Sequence, residues 1–186
     1  EVPIASAGND TLICKGDQIV LGAPAVLGWD YNWTPSLGLS ASTIAQPIFS
    51  GIASSSYILN LQNGKCEDRD TIVIEVVSAE AGQDTFLCTP DTIALQGQFS
   101  GNFAIQWLPT NTIVNANAPI AMVFPSTTQQ YALFATAGNC VILDTVTVQA
   151  FPPPVAAFEI NPSVGEIGTP ITFLNTSQFA STSIWD

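Results

Sequence analysis

The sequence of 186 residues repeats itself with a period of 74 residues, and the landmarks of the two copies align without a gap. Equivalent positions share two cysteines, a tryptophan, a tyrosine and several short motifs. The matched pairs are Cys14 with Cys88, Cys66 with Cys140, Trp33 with Trp107, Tyr57 with Tyr131, and Ala7-Gly8-x-Asp10-Thr11 with Ala81-Gly82-x-Asp84-Thr85. A fixed internal period is typical of repeat architectures. Because each unit carries its own cysteines and tryptophan, we predict a string of self-contained domains rather than a solenoid.

Short apolar runs separated by Gly, Pro, Ser, Thr and Asn predict an all-β fold of tandem β-sandwiches in an elongated array. We expect one sandwich over residues 1–77, a second over 78–151, and a proline linker with the first part of a third over 152–186. The four-residue junction at 77–80 leaves little room for independent tumbling, and Pro152 to Pro154 favour a stiff, extended spacer. About 30 residues cannot close a sandwich, so we expect the natural chain to continue beyond Asp186.

The spacing of the cysteines predicts how they pair. Each repeat holds two cysteines 52 residues apart, Cys14 with Cys66 and Cys88 with Cys140. One pair per unit predicts one disulfide within each repeat, which in the chain-entropy model stabilises a small domain by about 4 kcal/mol. Disulfides imply an oxidising compartment, outside the cell or at its surface. Four unpaired thiols in a cytosolic protein are the alternative, and a zinc site is disfavoured because the chain has no histidine and no Cys-x-x-Cys.

Charge limits the classes of partner. Fifteen acidic residues against three basic ones give a formal net charge of −12. Nucleic acid is excluded as a partner because phosphate binding needs Lys and Arg. No apolar run in the sequence is long enough for a transmembrane helix, so we expect no membrane insertion by this segment. Any secretion signal or anchor is expected outside it.

The sequence predicts no enzyme and no cofactor. It lacks histidine, Gly-x-Ser-x-Gly, the P-loop and the dinucleotide-binding fingerprint. The densest carboxylate cluster, Glu67, Asp68 and Asp70, is only partly repeated in the second unit, which favours a solvated turn over an acid–base pair. Asp68 and Asp70 are also the one candidate for a Ca²⁺ site, although no complete calcium-loop motif surrounds them and surface charge is the favoured interpretation.

The C-terminal stretch resembles the opening of a PKD domain, an immunoglobulin-like sandwich. The resemblance rests on Ala157-Phe158, Asn175-Thr176-Ser177 and Trp185-Asp186. The two full repeats resemble the PKD-like and Ig-like repeats of very large adhesin-like surface proteins of Bacteroidota. Such proteins leave the cell by the type IX secretion route and include gliding-motility adhesins. The matching features are Ala-Gly-x-Asp-Thr, the segment 16–21, Trp-x-Pro, Gly-x-Cys and the closing Asp-Thr.

This resemblance implies an extracellular or cell-surface location, core tryptophans at Trp33, Trp107 and Trp185, and a disulfide at one edge of each sandwich rather than through its core. It also draws attention to Asp-Thr-apolar triplets, which resemble the O-glycosylation sequon of Bacteroidota. The candidate threonines are Thr11, Thr71, Thr85, Thr92 and Thr145. Repeat consensus explains four of these, with Asp at a turn and Thr opening a strand, whereas Asp91-Thr92 has no counterpart in the first repeat.

The aromatic residues are expected mostly in the cores. Trp29 precedes Tyr31 and Trp33 at a period of two, and so long a row of rings favours a surface contact for Trp29. We therefore predict a non-catalytic stalk segment of a large bacterial surface adhesin, with other domains of the same chain as its neighbours and a surface ligand or glycan as a further partner. The alternatives are a self-associating filament or sheath subunit completed by strands of neighbouring chains, and an accessory carbohydrate-binding region of a secreted enzyme.

Overall fold

The structure, a computed structural model, describes residues 4–185. The first repeat forms six strands that make two sheets. They are β1 (Thr11–Cys14), β2 (Ile19–Val20), β3 (Asp30–Thr34), β4 (Ile48–Phe49), β5 (Ser55–Asn63) and β6 (Cys66–Glu80). One sheet has the order β1-β6-β5-β3, with β1 parallel to β6, and the other pairs β2 with β4. This arrangement is an Ig-like sandwich, because β3, β5 and β6 take the places of strands C, F and G, and β2 and β4 those of B and E.

The second repeat has the same plan. Its elements are β7 (Thr85–Cys88), β8 (Ile93–Gln96), β9 (Gln98–Ser100), β10 (Ala104–Leu108), a short 3-10 helix (Thr110–Thr112), β11 (Ile113–Val114), β12 (Ile120–Val123), β13 (Gln129–Ala137) and β14 (Cys140–Phe151). The sheets are ordered β10-β13-β14-β7 and β11-β12-β8, and β7 is parallel to β14. The prediction of an all-β tandem of Ig-like sandwiches is confirmed.

The strands form where the side chains alternate. In β5 the buried residues are Tyr57, Leu59 and Leu61, whereas Ile58 between them is exposed and Asn60 is half-buried. A hairpin follows, in which Asn63 pairs with Cys66 across a tight turn and Gly64 has a φ of 66°. A φ in this left-handed region suits glycine, and a hairpin turn requires it. The hairpin of β13 and β14 closes in the same way.

Each repeat has its own core around a tryptophan. Trp33 and Trp107 are fully buried. Their indole Nε1 atoms donate to repeat-equivalent carbonyl oxygens, Trp33 to that of Ile44 at 3.0 Å and Trp107 to that of Ala118 at 3.1 Å. Burial of the large apolar ring stabilises the fold. Because the indole N–H is hydrogen-bonded, this burial does not leave a donor without a partner.

The buried tyrosine of each repeat is anchored as well. The Tyr57 hydroxyl donates to the carbonyl oxygen of Leu37, and the Tyr131 hydroxyl lies 2.8 Å from the Thr112 hydroxyl. Burial raises the pKa of Tyr131 above its ordinary value of 10.0, although the Thr112 hydrogen bond lowers it in part. Since the folded state favours the protonated phenol, the stability linked to Tyr131 is present below pH 10 and is lost as the pH rises through the folded pKa.

The junction between the repeats is a strand rather than a linker. β6 runs on past Val77, and its residues 78–80 pair antiparallel with β9 of the second repeat. Ala79 and Ala81 are buried in the second core. The chain therefore crosses from one repeat to the next without leaving a β-sheet.

The expectation of a disulfide within each repeat is wrong. The structure joins Cys14 to Cys140, with their Cα atoms 5.5 Å apart, whereas Cys66 and Cys88 carry free, exposed thiols. The reason is strand direction. β1 is indeed next to β6, but Cys14 is aligned with Val77 at the far end of that strand. Eleven residues separate Val77 from Cys66, about 36 Å along a strand, and a disulfide spans at most about 7 Å between Cα atoms.

The stretch after the prolines forms one antiparallel hairpin of β15 (Phe158–Asn161) and β16 (Thr172–Asn175). Trp185 packs against Phe158 and Phe173 with ring centroids 5.7 and 6.0 Å apart, but it is 53% exposed. The expected burial of Trp185 is not found, because within residues 4–185 no second sheet covers this aromatic face. None of the helices in the described part of the chain has the length and apolar character needed to cross a membrane.

Candidate functional site: the junction between the repeats

The aspartates of the repeated motifs hold the N-terminal edge of each sandwich. In the first repeat, Asp70 on β6 accepts the backbone N–H of Ala7 at 2.8 Å, and Asp10 accepts that of Val73 at 2.8 Å. Asp68 accepts the N–H of Ala5 at 2.8 Å. The segment before β1 is therefore hydrogen-bonded to β6 in both directions: it donates N–H groups to carboxylates on β6, and its own Asp10 accepts an N–H of β6. We call this pair of carboxylate contacts the clip. The motif Ala-Gly-x-Asp-Thr recurs because the fold needs its carboxylate as a backbone acceptor.

The second repeat repeats the clip at its start, where the chain has just crossed the junction. Asp144 accepts the N–H of Ala81 at 2.7 Å, and Asp84 accepts that of Thr147 at 2.8 Å. Ala81 is itself buried. The geometry of the junction thus depends on a carboxylate that fixes the first buried residue of the second core.

The substitution Asp144→Ala is expected to destabilise the protein by about 1–3 kcal/mol, because it leaves the N–H of the buried Ala81 without an acceptor. The matched control is Asp91→Ala, which removes a carboxylate from an exposed position and should change stability by less than about 0.5 kcal/mol. Urea unfolding followed by tryptophan fluorescence measures both. Equal effects of the two substitutions would contradict the role assigned to Asp144.

The calcium candidate consists of Asp68 and Asp70, and both carboxylates accept backbone N–H groups of the chain itself. Across residues 4–185 no three acidic, cysteine or histidine side chains cluster closely enough to hold a metal ion. Calcium takes six to eight oxygen ligands. The two carboxylates are thus explained by their place in the fold.

A small apolar cluster surrounds the disulfide at the junction. Val77, Ala137 and Cys140 are buried there, and Leu12, Cys14 and Phe103 pack against them. The hairpin turn of the second repeat also lies on the first, since a Cβ on Gly138 would be 3.7 Å from Leu12 Cδ2. Lys15 and Glu80 add an exposed ion pair at 3.5 Å, which contributes little in water.

The disulfide completes a covalent line along the two repeats. The segment that leads into β1 crosses the first repeat, from Ala5 beside Asp68 to Cys14 beside the junction, where the register partner of Cys14 is Val77. The bridge leads to Cys140, the first residue of β14, and β14 runs through the second repeat to Phe151. Tension applied at the two ends of the repeats passes through β1, the bridge and β14, and bypasses the 126 residues of sequence separation between the two cysteines.

Sequence reasoning did not identify this junction as a site. One signal was available: the apolar residues Val76 and Val77 are consecutive, which breaks the alternation of β6, and the structure buries both. Two adjacent buried residues in a strand indicate that its two faces are both covered at that point. The pairing of Cys14 with Cys140 had no comparable signal, because every cysteine has the same spacing to its repeat equivalent.

Trp29 lies on the other end of the first repeat, immediately before β3. It is half-buried and lines an open cleft of about 360 Å³ with Pro24, Val26 and Tyr31. The Tyr31 hydroxyl accepts the N–H of Val26 at 2.9 Å, which holds the loop over the cleft. Burial along the predicted row increases from Trp29 and Tyr31, both half-buried, to the fully buried Trp33.

The five candidate threonines differ in exposure. Thr71, Thr92 and Thr145 are exposed, whereas Thr11 and Thr85 are half-buried. Thr92 lies just before β8, outside any strand, and the others belong to strands. Thr92 is therefore the most accessible of the five to a modifying enzyme, because its backbone takes no part in a sheet.

Comparison with models of protein families and with curated proteins finds no match. Several solved structures are similar in part. Extracellular domains 3–5 of Drosophila OTK align at 16% identity with a TM-score of 0.40, covering 89% of this chain and 69% of that chain. The titin fragment A168169 aligns at 13% identity with a TM-score of 0.42, covering 79% and 99%. The four N-terminal Ig domains of Dscam1 isoform 7.44 align at 14% identity with a TM-score of 0.47, covering 81% of this chain and 45% of that chain.

Proposed function

We propose that this chain is a non-catalytic stalk segment of a large extracellular bacterial surface protein, in which it transmits tension between a cell and what the cell grips. The observation that carries this proposal is the Cys14–Cys140 bridge across the junction. A disulfide within a domain protects only that domain. A disulfide that joins the end of β1 in one domain to the start of β14 in the next carries the tension itself. The residues between the two cysteines, which include most of both cores, then bear none of it.

Three features of the junction favour a stiff segment. The strand β6 continues into the second repeat, the apolar cluster at Val77 and Cys140 is buried, and the disulfide prevents the two repeats from separating. Domain pairs joined only by a flexible linker move independently by default. A stalk has to keep its length, and each of these features opposes bending at the point where a two-domain rod is weakest.

The location follows from the same bridge. Disulfides persist in oxidising surroundings, outside the cytosol. The resemblance of the repeats to those of Bacteroidota adhesins, and of the C-terminal hairpin to the start of a PKD domain, supports a surface array exported by the type IX route. We further propose O-glycosylation at Thr92, which is exposed and lies outside the strands.

The stiffness is tested with the bridge removed. In a parent protein carrying Cys66→Ser and Cys88→Ser, the ¹⁵N relaxation rates of both repeats are expected to report one rotational correlation time. Adding Cys14→Ser and Cys140→Ser should increase inter-repeat motion and lower the apparent correlation time of each repeat, because only β6 and the apolar cluster then hold the junction. Independent tumbling of the repeats in the bridged parent would contradict the stalk.

A filament subunit is the second candidate, and the aromatic face of the C-terminal hairpin favours it. Phe158, Phe173 and Trp185 are all about half-exposed there. Strands from a neighbouring chain would complete this domain, by β-strand addition at the hairpin edge and by supplying the second layer that covers the aromatic face. Such assembly depends on concentration and does not depend on thiols, so sedimentation of the Cys66→Ser/Cys88→Ser protein over a range of concentrations separates the two candidates.

A further inference from the structure

We propose that the free thiols of Cys66 and Cys88 join copies of this chain head to tail. Each would form, between two chains, the same bridge that Cys14 and Cys140 form inside one chain. The inference goes beyond the stalk function and does not require it. Its basis is that the internal junction brings together one end of each repeat. The far ends of the two repeats present the same two surfaces, and among residues 4–185 nothing covers them.

The C-terminal end of the second repeat is built like the surface that the first repeat contributes to the junction: β7 pairs with the end of β14 as β1 pairs with the end of β6. Cys14 is aligned with Val77 on the neighbouring strand, and the next residue, Lys15, donates its N–H to the Val77 carbonyl at 2.9 Å. Cys88 is aligned with Phe151 in the same register, and Thr89 donates to the Phe151 carbonyl at 2.8 Å. The Cys88 thiol therefore stands where the Cys14 thiol stands, with no second repeat against it among the described residues.

The N-terminal end of the first repeat is built like the surface that the second repeat contributes to the junction. Cys140 follows the turn of the β13–β14 hairpin and pairs with Ala137, and Cys66 follows the turn of the β5–β6 hairpin and pairs with Asn63. Cys140 is buried in the junction, whereas Cys66 is exposed. The difference in exposure has one cause, the presence of a neighbouring repeat at Cys140.

Apolar side chains flank both free thiols, as they flank the internal bridge. At the C-terminal end, Phe86 and Phe151 are 66% and 49% exposed, with their rings in contact at 6.3 Å. Their repeat equivalents, Leu12 and Val77, belong to the apolar cluster of the internal junction. Exposed adjacent phenylalanines at the very position that is covered inside the molecule indicate a surface made for a partner.

The N-terminal end carries the matching aromatic residue. Trp29 is the repeat equivalent of Phe103, and both immediately precede the equivalent strands β3 and β10. Phe103 packs into the junction cluster, whereas Trp29 borders an open cleft beside the fully exposed Leu27. Trp29 would thus fill the place against Phe86 and Phe151 that Phe103 fills against Leu12 and Val77.

The described segment that follows, residues 152–185, does not form at Cys88 the contact that the second repeat forms at Cys14. At the internal junction, residues 78–80 pair with β9 through the backbone. Their repeat equivalents are Pro152, Pro153 and Pro154, which lack the N–H groups for such pairing. Residues 152–186 also contain no cysteine. A second copy of this chain supplies both the thiol and the apolar end, and because the contact joins unlike ends it propagates into a linear array.

The reaction is thiol–disulfide exchange with a small-molecule disulfide as the oxidant. The Cys88 thiolate attacks the oxidant, forms a mixed disulfide and releases one thiol. The Cys66 thiolate of the next copy then attacks the Cys88 sulfur and releases the second thiol. Two protein thiols are oxidised to one disulfide, and one small disulfide is reduced to two thiols, so atoms and electrons balance.

The test uses two single variants and their mixture in a buffer of oxidised and reduced glutathione. The unmodified chain should form a ladder of disulfide-linked oligomers that dithiothreitol collapses to monomer. Cys66→Ser alone and Cys88→Ser alone should stay monomeric, whereas an equal mixture of the two should give a dimer and nothing larger. Peptide mapping of that dimer should find Cys66 joined to Cys88.

The apolar contact is tested by Trp29→Ala, which leaves both thiols in place. It should lower the initial rate of dimer formation in the mixture about tenfold, as truncation of a central aromatic residue does at protein interfaces. Leu143→Ala, at an exposed residue of β14 away from the two free thiols, is the control and should leave the rate unchanged.

Two results would overturn the proposal. One is a monomeric unmodified chain with both thiols capped by glutathione. The other is dimerisation of the single variants as fast as that of the mixture, which would show symmetric, unselective oxidation. Either result leaves the stalk function standing, because that function rests on the internal bridge and is tested by relaxation measurements on a protein without the two free thiols.

Discussion

Pulled by its two ends until both repeats unfold, the protein with Cys14→Ser is expected to be longer by roughly 440 Å than the bridged protein. The bridge encloses a sequence separation of 126 residues, and an extended chain spans about 3.5 Å per residue. With the bridge intact that length stays hidden at any force that leaves the disulfide unbroken. Single-molecule force spectroscopy measures the contour length directly.

The same measurement distinguishes this pairing from a bridge within each repeat. Two bridges of 52 residues each would hide two separate lengths of about 180 Å, and Cys14→Ser would release only one of them. Cys66→Ser is the matched control, since its thiol is free in the structure and its loss should release no length. A gain of about 180 Å from either substitution would contradict the junction disulfide and with it the proposed path of tension.

The second large effect is expected at the core of the second repeat. Trp107→Ala should destabilise that repeat by about 3–5 kcal/mol, the range for removing a fully buried aromatic side chain. The loss has two parts. A cavity replaces the indole ring, and the carbonyl oxygen of Ala118 loses the donor that lies 3.1 Å away. Because small domains are marginally stable, this change is a large fraction of the total free energy of unfolding.

Trp29→Ala is the control for this prediction. Trp29 is half-buried and immediately precedes its strand, so its removal should cost less than about 1 kcal/mol of unfolding free energy. Guanidinium unfolding of each variant, with the bridge intact, gives the comparison. Equal destabilisation by Trp29→Ala and Trp107→Ala would mean that Trp29 belongs to the core and would remove it from any surface role.

Local patterns in the sequence were sufficient for the all-β class of the fold. The alternation of Tyr57, Leu59 and Leu61 is typical of a strand, and Asn63-Gly64 is typical of a tight turn; the structure has β5 and a hairpin at these positions. Both depend on neighbours within a few residues. β6 extends at both ends beyond the apolar run of residues 71–76, because it pairs with β5 at one end and with β9 at the other.

The burial expected of Trp185 failed for a different reason. A tryptophan next to apolar strands predicts a core, but burial needs a second layer, and the described hairpin of β15 and β16 has only one. The candidate site at the junction could not be predicted from local sequence patterns either. Val77, Phe103 and Cys140 are far apart in sequence, and only the crossing of β6 into the second repeat brings them together.

The amino-acid sequence by itself determined the fold class, the 74-residue period and the residues that fill each core, because alternation, turn chemistry and apolar spacing act over short distances. The tertiary structure alone decided how the cysteines pair. Equal spacing in the two repeats pointed to a bridge within each, but the parallel alignment of β1 with the end of β6 places Cys14 beside the next repeat and far from Cys66. The direction of the strands, which depends on long-range pairing, thus replaces the two expected disulfides within the repeats by one disulfide between them. It leaves the thiols of Cys66 and Cys88 free at the far ends of the two repeats.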